Sequence, residues 1–138
     1  MEKRQKILIN ILEQAKTYLE EIGEFAPFGA IINSEGQEVP LGYYSDENIV
    51  DSLIAIEKLK EHIKDKIIDN NSKIGAIGVN VSINVNDEPS DALLVVITEN
   101  GKEWSEDYYA YGLESNNLTW RYPALRSLQL RSITRKKI

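Results

Sequence analysis

The run Gly23-Glu24-Phe25-Ala26-Pro27-Phe28-Gly29-Ala30-Ile31-Ile32 constrains this chain most. It follows a helical pattern and opens a strand pattern. Both phenylalanines of the protein fall in it, with two glycines and a proline. Glycine offers a helix stop, proline fixes the entry to an extended segment, and the two rings offer large apolar area. The stretch therefore reads as a structural corner that sets the order of the elements around it.

Upstream, Ile7, Leu8, Ile11, Leu12, Ala15, Tyr18, Leu19 and Ile22 recur at three- and four-residue spacing, which predicts a helix over 3–22. Gly23 stands at its C′ position. Downstream, 26–33 and 37–42 predict a hairpin around Ser34-Glu35-Gly36, with Pro40 marking an edge strand. A second helix is expected over 46–69, capped by Ser45 or Asp46. Its stripe is Ile49, Leu53, Ile56, Leu59, Ile63 and Ile67.

Strict alternation of Ile77, Val79, Val81, Ile83 and Val85 with polar or small residues predicts a strand over 74–86. Gly78 is expected to mark a bulge or a place where an aromatic ring lies on the backbone. Asp87 to Asp91 reads as a turn and Leu93 to Thr98 as a central strand. Asn100-Gly101 reads as a hairpin signal, and 103–113 as an aromatic strand with a further short one around Trp120. The expected fold is α+β in the order α-β-β-α-β-β-β: two layers, a mostly antiparallel sheet and two helices packed on one face. The whole chain, 1–138, reads as one domain, with 123–138 a basic segment of open structure.

Composition narrows the function classes. There is no cysteine, which excludes disulfides, thiolate nucleophiles and Cys-ligated metals. The longest apolar run, Ala92–Ile97, is far short of the roughly 20 residues a membrane helix needs, and no signal-peptide core is read. A cytoplasmic protein is expected. The net charge is −6, but no acidic residue follows Glu114, so the tail carries +6 and the first 114 residues −12. An acidic body repels a phosphate backbone, so nucleic acid is disfavoured, and the tail reads as packing on its own body.

Few residues point to chemistry. His62 is the sole histidine, and Glu61-His62-Ile63-Lys64 lacks the second ligand of a zinc helix, so it reads as a solvated helix-border residue. The acids at Asp87, Glu88 and Asp91 do not have calcium-loop spacing. Gly75-Ala76-Ile77-Gly78 leads into a strand, not a helix N-terminus, so it is no phosphate loop. Neither metal nor cofactor is expected. Glu24 is the one candidate catalytic carboxylate, because apolar Phe25, Pro27 and Phe28 flank it and Tyr43 is expected nearby. The aromatics carry more weight. Trp104, Tyr108, Tyr109, Tyr111 and Trp120, with Glu106 and Asp107, form the expected partner-binding set on the outer sheet face. Cross-strand packing without a partner explains the same rings.

The segment Gly23-Glu24-Phe25-Ala26-Pro27-Phe28-Gly29, with Gly36 after it, resembles a pattern found in small uncharacterised bacterial proteins. In these a helix leads into Gly-Glu-Phe-x-Pro-Phe-Gly and a short hairpin. The resemblance spans the first 40 residues and implies no activity. Some similar small α+β proteins are immunity proteins that block a toxin, an analogy of fold. Three readings stay open: a non-catalytic cytoplasmic protein-binding protein, immunity-like, with a basic partner; a small-ligand binder or carboxylate enzyme using Glu24; and a homodimer with a structural role.

Overall fold

The computed structural model describes residues 2–42, 51–121 and 133–135, the last as backbone only. Helix α1 (Lys3–Glu21) leads into strands β1 (Phe28–Asn33) and β2 (Glu38–Gly42). Helix α2 (Ser52–Ile68) precedes β3 (Ser72–Val85), β4 (Glu88–Thr98), β5 (Ser105–Glu114), β6 (Asn117–Trp120) and β7 (Ile133–Arg135). The strands form one sheet in the order β2-β1-β3-β4-β5-β6, and every pairing is antiparallel. β7 pairs with Val81–Ile83, beyond the part of β3 that β1 covers. At least this piece of the basic C-terminal segment is docked on the body. The fold is α+β in the expected order.

The layering differs from the expectation. The helices lie on opposite faces of the sheet, making three layers where two were expected. Ile7, Ile11, Ala15 and Leu19 of α1 pack on Phe28, Ala30, Ile32, Ile74, Ala76, Leu93 and Val95. Ile56, Leu59 and Ile63 of α2 pack on Ile31, Ile77, Val79, Val81, Leu94 and Val96. The two sets have opposite parity along each strand, so β1, β3 and β4 are buried on both sides. Two glycines of β3 seat the helices. A Cβ on Gly75 would lie 2.3 Å from Cγ2 of Ile63 in α2. A Cβ on Gly78 would lie 2.6 Å from the Phe28 ring and 3.1 Å from Ile11 in α1. An aromatic ring does lie on the backbone at Gly78.

The ends of the elements follow from local chemistry. Gly23 adopts a φ of +90°, and its N–H donates to Leu19 and Tyr18 carbonyls, closing α1. Asn33 Oδ1 accepts from Glu35 and Gln37 N–H, ordering the first hairpin. α2 starts at Ser52, capped by Asp51, whose carboxylate accepts from Leu53 and Ile54 N–H. The expected caps Ser45 and Asp46, with Ile49, lie outside the described residues. Leu53 is exposed, beyond the edge of the stripe made by Ser52, Ala55, Ile56, Leu59 and Ile63.

Turn positions correct two strand boundaries. Asn86 and Asp87 both have positive φ, so the turn is a tight two-residue one and β4 begins at Glu88. Pro89 thus sits in a strand. The tight turn puts its nitrogen on the side away from β3, past the end of the β5 pairing at Asp91. After Asn100-Gly101, Asn100 Oδ1 accepts from Lys102 and Glu103 N–H, which delays β5 to Ser105. No helix among the described residues is long and apolar enough to cross a membrane.

Candidate binding surface

The expected aromatic patch divides between the two faces and the interior. Tyr108 is buried among the side chains under α2, and Tyr111 is buried under α1. These two were expected as exposed anchors. They are core instead: α2 covers Tyr108, and α1 covers the face expected to be bare, where Tyr111 lies. The Tyr111 hydroxyl donates to Asn80 Oδ1 at 2.7 Å. Burial, reinforced by the charge of Asp91 on the neighbouring strand, pushes its ionisation well above the usual tyrosine range, against the opposing pull of the Asn80 bond.

Trp104 and Glu106 lie on the α2 side and are half-buried. Lys60 Nζ of α2 sits 5.1 Å from the Trp104 ring centre. Asp107 and Tyr109 lie on the α1 side, also half-buried. Tyr109 and Tyr111 each meet Trp120 edge-on at 6.3 Å between centroids. Trp120 is the most exposed of the set, at 37%. The structure therefore brings together Tyr109, Tyr111 and Trp120 as a ledge on the β5–β6 hairpin, and separates Trp104, Glu106 and Tyr108 from it.

One carboxylate of the α1 end holds this ledge in place. The Glu20 carboxylate accepts from Leu118 N–H at 3.0 Å. The tight Ser115-Asn116 turn makes Glu114–Asn117 the first bonded pair, so alternation aims Leu118 N–H away from β5. Glu20 meets the donor that an edge strand leaves open. No local signal in the sequence could have matched residues so far apart.

Glu24 is exposed and lines a groove of about 440 Å³ at the other edge of the sheet. Tyr18, Phe25 and Phe28 line it too, with ring centroids 5.2–6.2 Å apart. Tyr43, expected in this wall, lies outside the described residues. Gln14, Ile22 and Pro40 join it instead. Tyr18 was read only as a position of an amphipathic helix, and Pro40 only as an edge marker. His62 is exposed on α2, as expected. Among the described residues no three potential ligands converge on a metal position.

Comparison with known protein families, curated proteins and solved structures finds no match to this chain.

Proposed function

We propose that this chain is a non-catalytic protein-binding protein of the bacterial cytoplasm, immunity-like, that holds a basic partner on the Tyr109–Trp120 ledge. The observation that carries this reading is Trp120. A large ring stays 37% exposed at the rim of a ledge whose supporting rings are already packed. Exposed Trp backed by fixed aromatics is the composition of a binding anchor. Asp91 lies on the strand beside Tyr111 and Asp107 two residues before Tyr109, so carboxylates flank the rings. The −12 charge of the first 114 residues favours a cationic partner and speeds its approach.

The test is affinity capture to identify the partner, followed by calorimetric titration of the purified pair. Trp120→Ala is expected to weaken binding by about 2 kcal/mol, close to thirtyfold, with a steep loss of association rate in added salt. If Trp120→Ala and Tyr109→Ala both leave the affinity unchanged, the ledge is not the site. A chain that captures nothing and dimerises with concentration in the ultracentrifuge overturns the reading in favour of self-association.

A further inference from the structure

The groove at the β2 edge has a chemistry of its own, independent of the Trp120 ledge at the β6 edge. Its volume of about 440 Å³ falls inside the range of about 300–1,000 Å³ that small-molecule sites occupy. Its floor is aromatic. Phe28 meets Tyr18 edge-on at 5.2 Å and Phe25 at 5.3 Å, so the three rings hold one another in place. Ile22, Pro27, Pro40 and Leu41 extend the apolar wall.

The polar groups in that wall are matched to one kind of ligand. Tyr18 spends its proton on Gln14 Oε1 at 2.9 Å. The Gln14 amide nitrogen donates to Asn10 Oδ1 at 2.7 Å and leans on the Gly29 carbonyl at 3.4 Å. The side-chain donors of the described residues in the groove are thus committed inside the protein. What the wall offers a ligand are acceptors: the Gln14 amide oxygen and the Glu24 carboxylate. Among the described residues lining it, Glu24 is the sole charged one. A cation is drawn to the faces of such rings and not to their edges, and a carboxylate at the rim adds a full negative charge.

The geometry points to a binding site for a small organic cation, an ammonium carried on an aromatic or alkyl body, with the body on the Tyr18–Phe25–Phe28 floor and the charge at Glu24. The purified full chain, isotope-labelled, can be titrated by NMR at low ionic strength with three probes that share a phenylethyl body. These are 2-phenylethylammonium, 2-phenylethanol and 3-phenylpropionate. Saturable shifts are expected at Tyr18, Ala26, Phe28 and Leu41 with the cation, with about tenfold weaker binding of the anion. Glu24→Gln should weaken the cation about threefold and leave the neutral probe unchanged. Trp120→Ala should change none of these, which separates this site from the ledge. Equal binding of cation and anion, shifts confined to other residues, or no saturation up to the solubility of the probe overturns the proposal. So does a Glu24→Gln protein that keeps the full preference for the cation.

Discussion

Gly75 offers the sharpest test of the three-layer packing. In the structure a Cβ there would lie 2.3 Å from Ile63 Cγ2, 3.1 Å from Cγ1 and 3.2 Å from Cβ of the same side chain. Rotating Ile63 exchanges its two branches and cannot clear the space, because its own Cβ is also too close. Ordinary contact of about 3.7 Å therefore requires α2 to lift by more than an ångström at a fully buried position. Overpacking of that kind costs about 3 kcal/mol. Alanine recovers up to about 1 kcal/mol of the entropy that glycine loses in a strand, leaving a net loss of about 2 kcal/mol. For a domain of this size that is a fall in melting temperature of about 7 °C. Thermal and urea unfolding followed by circular dichroism would measure it. The decisive control is the cycle with Ile63→Ala, which alone costs about 3 kcal/mol. The double variant should lose about 3 kcal/mol and not the sum of about 5, a coupling of about 2 kcal/mol. A Gly75→Ala protein as stable as the parent, or a cycle additive within about 0.5 kcal/mol, would refute the packing of α2 on this face.

Three further substitutions have expected outcomes. Tyr111→Phe leaves the buried Asn80 oxygen without its donor and should cost about 1–2 kcal/mol at neutral pH, measured by urea unfolding. The same hydroxyl ionises less readily when folded. The folded state therefore keeps a proton that the unfolded state sheds above a pH of about 10. Stability should fall as pH rises past that value, and more shallowly in Tyr111→Phe than in the parent. Asp51→Ala removes the carboxylate that accepts from Leu53 and Ile54 N–H and should cost about 1 kcal/mol. Glu20→Ala frees the Leu118 N–H. It should speed amide exchange at Leu118, with a stability loss of about 1 kcal/mol and no change at the β1–β2 hairpin.

The local features were legible because their causes are local. Gly23 closes α1, the Asn33–Gly36 turn builds the first hairpin, and the alternation from Ile77 to Val85 makes the longest strand. The residue before a proline and the proline itself misled, since Asp87–Asp91 carries turn residues but the left-handed pair Asn86-Asp87 takes the turn alone. The layering was not legible. β3 alternates apolar with Gly78, Asn80, Ser82 and Asn84, which reads as one dry and one wet face. The structure fills that second face with α1 by using Gly78 as a seat for Phe28 and by bonding Asn80 to Tyr111. Glycine and a satisfied asparagine look polar in a sequence and behave as core when another element supplies the missing volume and hydrogen bond. The same oversight turned Tyr111 into an expected surface anchor.

A sheet covered on both faces leaves its rims for contact, and the β2 and β6 rims each hinder strand addition in their own way. At β2, the bonded pair Asn33–Gln37 sets an alternation in which Val39 and Leu41 bond to β1 and residue 40 faces outward. Proline at that position deletes the outward donor. At β6, the outward Leu118 N–H is taken by Glu20. A partner strand arriving at either edge would find a missing or an occupied donor in the middle of its ladder. Contact at these rims must then be made by side chains. Ring surface is left at both rims: Trp120 is exposed beside β6, and half-buried Tyr18 lies over buried Phe25 and Phe28 in the groove beside β2. The devices that block strand addition at these edges leave contact there to side chains, as the proposed ledge and groove require.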